Sequence, residues 1–422
     1  MIQTSTLADG LTVVTEDLPH APSVAVGVWA QVGARDEPDE LAGASHFLEH
    51  LLFKGTADRT ALEIAEAVDR VGGDMNAFTG RESTAFYARV PATELAMAVD
   101  LLVDVVVDPA FHEDDVEVER DVILDELAAS LDTPDDRIHV ALAEAVFPDH
   151  PLGREVIGSE ETVHDLARDT IADFHHRHYR AEDLLVAVAG PVDHDDIVGQ
   201  VTDRFPSGRT DGLVTRTPPS PEVVASTVID RPGEQTHLAL GWRSLPAGHP
   251  ERYALAVANQ VLGGGLSSRL FQEIREKRGL CYSVWSSPSP ASDAGQFTAY
   301  AGTAPEQATT VLALLDDEIT RFVDEGITQD ERDIAVGYLT GSLVLGLEDT
   351  GSRLGRLGGL MTALGRVVPI DEDVAALRAV TLDDVTAVVR KVLGGPRSVA
   401  VVGPHDDALA AALEGMRSPS GG

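Results

Sequence analysis

Apolar positions along the chain repeat with two different periods. Runs rich in β-branched and aromatic residues at 11–15, 23–32 and 83–90, and again at 223–230, 236–242 and 294–301, predict strands. Residues 61–71, 92–107, 114–130, 254–262, 305–325 and 329–347 place apolar side chains three and four apart and predict amphipathic helices. The strand connections around Gly10 and Pro91 leave no room for a parallel crossover. Mainly antiparallel sheets are therefore expected, with helices packed on one side.

Two distant segments match. Residues 184–191 read Leu-Leu-Val-Ala-Val-Ala-Gly-Pro and residues 397–404 read Arg-Ser-Val-Ala-Val-Val-Gly-Pro, so that Pro191 and Pro404 are separated by close to half the chain. An offset of that size points to two copies of one architecture. The stretch 206–222, rich in Pro, Ser and Gly, has linker composition. The predicted fold is α+β: two homologous domains, 1–205 and 223–422, each a mainly antiparallel β-sheet packed with α-helices.

Charge narrows the function. Asp and Glu total 70 against 32 Lys and Arg, a formal charge of −38, which repels polyphosphate and argues against a nucleic-acid partner. No apolar run approaches the ~18 residues of a membrane span, and residues 1–10 carry neither a secretory nor a mitochondrial leader pattern. No membrane partner and a cytoplasmic address are expected. The single cysteine, Cys281, leaves no internal disulfide and no Cys-rich zinc ribbon, so any metal must sit on His and carboxylate.

That donor chemistry is concentrated at His46-Phe-Leu-Glu49-His50. On a helix, imidazoles at i and i+4 project from one face and can grip one ion. Glu49, three residues after His46, faces the same groove and could take a proton from a water held there. The order H-x-x-E-H is the inverzincin pattern. A catalytic zinc needs a third protein donor. The acidic helix 116–127 offers Glu119 and Glu126, seven residues apart and so on one face; spacing alone does not choose between them.

The segment from His46 to Thr56, with residues 119–126, resembles the pitrilysin and mitochondrial processing peptidase family of zinc metallopeptidases. The resemblance implies one Zn²⁺ per chain on His46, His50 and Glu126, the last standing at the family's spacing after the second histidine. It further implies Glu49 as general base and Glu119 as a catalytic support behind the ligands. Residues 72–79 are similar to the family's edge strand, implying that Asn76, Ala77, Phe78 and Thr79 bind an extended peptide. Residues 270–282 are similar to a family segment whose Arg and Tyr, here Arg275 and Tyr282, reach across to the zinc half and hold substrate carbonyls. The implied protein is a processing-peptidase-like metalloendopeptidase acting on oligopeptides or unfolded segments, inside a chamber closed by a second chain. Because this chain carries both the zinc set and the Arg/Tyr pair, a homodimer is expected.

Blander readings compete at several positions. His46 and His50 alone fit two surface histidines, Arg275 and Tyr282 fit an intrahelical ion pair and a core residue, and Asn76–Thr79 fit a turn. His175, His176 and His178 are spread around a helix and read as packing or surface residues. Gly263–Gly265 lacks the Gly-Lys-Ser/Thr of a phosphate loop and reads as a turn. Cys281 reads as structural. The rivals to a self-sufficient peptidase are a protease needing a different partner chain, a non-catalytic subunit and a small-molecule zinc hydrolase.

Overall fold

A computed structural model of the chain describes residues 1–208 and 215–416; residues 209–214, within the expected linker, and 417–422 lie outside the described residues. Two compact units are present. Among the described residues, one comprises those within 1–128, 155–216 and 344–367, the other those within 129–154, 217–343 and 368–422.

The first unit holds strands β1 (Ile2–Thr6), β2 (Thr12–Asp17) and β3 (Ser23–Ala30), then helices α1 (Ala44–Leu52) and α2 (Ala61–Asp69). A hairpin of β4 (Asp74–Thr79) and β5 (Thr84–Pro91) follows, then α3 (Leu95–Val107) and the long α4 (Glu113–Asp132). Helix α5 (Pro134–Val146) comes next in the chain but belongs to the second unit. The first unit resumes with α6 (Glu160–Asp165), α7 (Arg168–His178), β6 (Leu184–Gly190) and α8 (His194–Val201). Its sheet runs β1-β2-β6-β3-β5-β4, antiparallel except for the parallel β2–β6 pair.

The second unit contributes β7 (Ser226–Ile229), β8 (Thr236–Arg243), α9 (Arg252–Leu262), β9 (Cys281–Pro290) and β10 (Gly295–Thr303). Helices α10 (Ala308–Glu325) and α11 (Gln329–Gly346) follow, and α12 (Thr350–Leu364) then returns to the first unit. The chain closes with α13 (Ile370–Ala379), α14 (Leu382–Leu393), β11 (Arg397–Val402) and α15 (Asp407–Met416). The sheet order is β7-β11-β8-β10-β9, with only β7–β11 parallel. The matching Gly-Pro runs are therefore β6 and β11, and each lies between a parallel and an antiparallel neighbour. The two-copy α+β architecture expected from the sequence is present.

Helices cover both faces of each sheet, not one as expected. The main core of the first unit gathers Val26, Val28, Phe47, Leu51, Phe86 and Leu102 on one face. On the other face α12 sets Leu354 and Leu357 against Ala25, Trp29, Leu185 and Ala187. In the second unit α5 does the same, with Ile138, Leu142 and Val146 against Ala239, Ala400 and Val402. Each sheet thus receives its outer helix from the other half of the sequence. Alternation explains why the strands need this. Odd and even positions of β6 are all buried, a pattern only a doubly covered strand shows.

The two outer helices dock with opposite size matching at equivalent sites. Trp29 pairs with Leu185 and Gly241 with Ser398, and Leu185 and Ser398 are separated by the same interval as Pro191 and Pro404. In the first unit the bulky residue is on the sheet, and a Cβ on Gly358 of α12 would overlap the Trp29 indole. In the second the small residue is on the sheet, and a Cβ on Gly241 would come 2.7 Å from Val146 and 2.9 Å from Leu142 of α5. Helix α12 is further tied by Arg353 to the buried Glu16, and by Arg89 Nη1 to Asp349 at 2.9 Å. Among the described residues no helix is long and apolar enough to cross a membrane.

Gly358→Leu should destabilise the protein by ~1–3 kcal/mol, the usual cost of overpacking a filled interior site. Chemical denaturation measures it, and an unchanged midpoint would mean that α12 does not lean on Trp29.

Candidate metal centre

Helix α1 begins where Gly43 takes a left-handed backbone (φ 96°), a conformation that costs a residue with a Cβ. A side chain there would also overlap the Ile157 carbonyl. The first amides of the helix are capped by a side chain from outside it. Buried Glu37 accepts the Gly43 N–H at 2.8 Å and the Ser45 N–H at 2.7 Å, supplying negative charge where the helix dipole favours it. No local sequence signal marks Glu37, which lies six residues before Gly43 and outside any local capping pattern. Leu48, Leu51 and Leu52 bury the opposite face, which fixes the rotation of the helix.

Helix α4 supplies the carboxylates. Three acids, Glu113, Asp114 and Asp115, favour its N-terminus electrostatically. Arg120 anchors it sideways, donating to the carbonyls of Val163 and Leu166 and lying 5.4 Å over the Phe47 ring of α1. Glu119 and Glu126 share one face, as their spacing predicts, but differ in surroundings: Glu119 is 4% exposed and Glu126 is exposed.

These two helices bring three donors together. His46 Nε2 is 3.7 Å and His50 Nε2 is 3.6 Å from the same oxygen, Glu126 Oε2. The imidazole centroids are 4.8 Å apart. Such separations are too long for hydrogen bonds. They resemble the ~3.3 Å between donors of a tetrahedral site with ~2.0–2.1 Å bonds. Among the described residues His46, His50 and Glu126 are the one group of three that could hold a metal ion. The chemistry of the set fits zinc: two imidazoles and a carboxylate, one donor buried, one half-buried and one exposed, so that the site is open on one side.

The protonation pattern fits as well. Burial, helped by the neighbouring His50, pushes the His46 imidazole down to about 4, so it is neutral at pH 7 with a lone pair to give. Its Nδ1 is buried without a hydrogen-bond partner from the protein. His50 Nδ1 lies 2.8 Å from Glu119 Oε2, an arrangement in which Nδ1–H donates to the carboxylate and Nε2 is left for the metal. Glu119 also pairs through its other oxygen with Lys54. Burial opposes ionisation of Glu119, but hydrogen bonds and charge from Lys54 and His50 outweigh it and hold its carboxyl below the ordinary range. Glu119 is thus behind the donor triad and not within it.

Glu49 lies between the two histidines in sequence. One of its oxygens, Oε2, accepts the Thr79 hydroxyl at 2.6 Å. The four expected peptide-binding residues divide by strand alternation: Ala77 and Thr79 turn toward α1, whereas Asn76 and Phe78 are exposed on the other face, Phe78 beside Tyr87. Strand β4 is at the sheet edge. In the second unit Arg275 is carried on a π-helical turn, Phe271–Glu276, with its guanidinium 4.8 Å over the ring of Tyr282, which is 78% exposed. They contact each other, which neither an intrahelical ion pair nor a core tyrosine describes. Cys281 is buried with its thiol pushed up to about 11 by burial, and His175 is buried with Nε2 on the Val106 carbonyl. Both are packing residues.

The sequence compares with known proteins over nearly its whole length. The profile of insulinase (peptidase family M16) matches residues 12–160, and that of the peptidase M16 inactive domain matches residues 165–339. The H-x-x-E-H motif falls in the first of these segments and is absent from the second. A protein named "uncharacterized zinc protease" from Streptomyces coelicolor is 45% identical over 420 residues, 98% of this chain and 92% of its own. Another of that name from Mycobacterium tuberculosis is 46% identical over 409 residues, 95% of this chain and 93% of its own. Among solved structures, a peptidase M16 inactive domain from Pseudomonas fluorescens shares the fold with a TM-score of 0.89, at 24% identity, covering 96% of this chain and 98% of its own. A protease from Helicobacter pylori gives 0.88 at 22% identity, covering 96% and 100%. The chain belongs to peptidase family M16, the pitrilysin family of zinc metallopeptidases.

Replacing Glu119 by Ala removes the acceptor of His50 Nδ1–H and leaves Lys54 unpaired. Zinc affinity should fall about 10- to 100-fold, as read by competition with a chromogenic chelator, while the thermal midpoint of the metal-free protein reports whether the fold survives.

Proposed function

We propose that the protein is a zinc-dependent endopeptidase that hydrolyses oligopeptides or unfolded polypeptide segments. The observation that carries this is the convergence of His46, His50 and Glu126 as a possible metal-donor set, with a further carboxylate, Glu49, between the two histidines on the same helix. Bound there, zinc supplies Lewis acidity, polarising a carbonyl and making water acidic enough to lose its proton near neutral pH. Glu49 accepts that proton as water attacks the scissile carbonyl and passes it to the departing amine. Strand β4 offers an unpaired edge to which an extended peptide can add by backbone hydrogen bonding, with Ala77 and Thr79 on the side of the base. That mode of binding selects unfolded chains, because a folded substrate has no free strand to give.

Arg275 and Tyr282 are proposed as further substrate contacts, and this rests on the family resemblance together with the exposure of Tyr282. The second chain that closes the chamber is proposed to be a copy of this one, since each chain carries the metal donors and the Arg/Tyr pair. Sedimentation of the active protein should give twice the 44.8 kDa chain mass; a strictly monomeric active species would contradict the homodimer.

A quenched-fluorescent peptide library tests the activity. Cleavage should require one zinc per chain, stop on chelation and return with zinc. Glu49→Gln should still bind zinc but lose about 10²–10⁴-fold in turnover, the range of a general acid–base contribution. Cleavage by Glu49→Gln at the wild-type rate would remove Glu49 from the reaction, and chelator-insensitive cleavage would remove zinc.

A further inference from the structure

Thr79 stands in two systems at once. Its backbone ends the edge strand β4, and its hydroxyl donates to Glu49 Oε2 at 2.6 Å, within the 2.5–2.7 Å of a charge-assisted O–H···O⁻ bond. The same hydroxyl is 3.4 Å from the Ser45 carbonyl one turn earlier in α1. It therefore joins the strand to the helix that carries the proposed base.

The strand end is itself held firmly. Past Thr79 the chain turns through residues 80–83, and this turn is gripped by the segment after β3. The Ala34 amide donates to the Gly80 carbonyl at 3.1 Å, and the Arg35 amide to the Arg81 carbonyl at 2.7 Å. Arg35 Nη1 pairs with Glu82 at 2.6 Å. Arg216 holds Asp36 with two nitrogens, at 2.8 and 2.9 Å, and donates to the Glu82 carbonyl at 2.8 Å. Asp36 in turn accepts the Gly33 amide at 3.1 Å. Two guanidinium groups and two acids, all half-buried or deeper, thus fix the turn from which Thr79 reaches Glu49.

A glutamate needs such help. Its terminal torsion is broad and nearly unrestrained. A base between two histidines that is free to rotate would present its oxygens to the reacting water only part of the time. With Oε2 occupied by Thr79, the rotation is stopped and Oε1 is left for the proton. We infer that Thr79 is a positioning residue for the hydrolysis: its hydroxyl orients Glu49 and links the base to the strand on which the peptide docks. This rests on the reading of Glu49 as general base and goes beyond the backbone role expected for residues 76–79.

The test compares Thr79→Val, which keeps shape and strand propensity but loses the donor, with Thr79→Ser, which keeps the donor. Zinc content and thermal midpoint are measured beside the kinetics; should the valine variant fail to fold, Thr79→Ala against Thr79→Ser takes its place. The expected result is a fall of about 10- to 100-fold in kcat with the donor removed, KM little changed, zinc at one per chain, and most of the lost turnover recovered in Thr79→Ser. A donor-less variant with wild-type kcat, or a serine variant as impaired as the valine, overturns the inference while the peptidase reading stands on its Glu49→Gln result. Wild-type protein that cleaves no peptide overturns that reading and this inference together.

Discussion

The buried carboxylate of Glu119 is the point on which the candidate centre depends. At 4% exposure an ionised side chain must be compensated nearly in full, and removing either partner would leave an uncompensated charge at a cost of several kcal/mol. Its two oxygens are shared between Lys54, four residues beyond His50, and the ring N–H of His50 itself. The pairing therefore does two things. It places α1 and α4 in a single register, since a shift of one turn would part Glu119 from Lys54. It also settles the His50 tautomer, so that the lone pair faces the same oxygen of Glu126 that His46 faces. In a chain of net charge −38 with only three lysines, placing one of them on a buried carboxylate is a strong local preference.

Much of this was readable in the sequence because it is local. The i, i+4 histidines and the seven-residue interval between Glu119 and Glu126 need only helical geometry, and the structure realises both. The residues that the sequence did not disclose act outside any regular local pattern. Glu37 caps a helix across an irregular segment. Arg120 looks like one more charge on an acidic helix, yet it is buried and bonded to two carbonyls more than forty residues away. Thr79 looked like part of a docking strand, and its hydroxyl turns out to meet Glu49. A charged or hydroxyl side chain has the same appearance in sequence whether it is solvated or satisfied by a distant partner, so pattern alone cannot separate the two.

The fold shows the same division. The repeat was visible because β6 and β11 occupy equivalent places and kept a common run of residues. The exchange of outer helices was not visible, because the apolar periodicity of α5 and α12 states that each has a buried face without stating which sheet covers it. The selection lies in size matching. Trp29 requires a glycine on its helix, and Gly241 requires large residues on its own, so placing either helix on the other sheet would leave a void or a collision. Voids and collisions both cost kcal/mol-scale stability in packed interiors. Opposite choices at equivalent positions thereby specify a pairing that a pair of identical repeats would leave ambiguous.

The duplication also explains how one copy can carry the three donors alone. The helix after β3 buries His46 and Ser45 among its apolar residues, has its first amides capped by Glu37, and sets His50 against the Glu119–Lys54 pair. The helix after β8 buries Ala254, Leu255, Val257, Ala258, Val261 and Leu262, with Gln260 as its buried polar side chain. Buried ionic groups contribute little net stability compared with apolar residues of similar volume. Among the described residues the second copy holds the shared scaffold without a metal-donor set, while the first retains buried polar and ionic groups that an apolar interior of similar volume would not need. Tyr87 and Tyr300, one repeat interval apart and paired with equivalent positions of β3 and β8, show that the surrounding sheet did not have to change for that difference to arise.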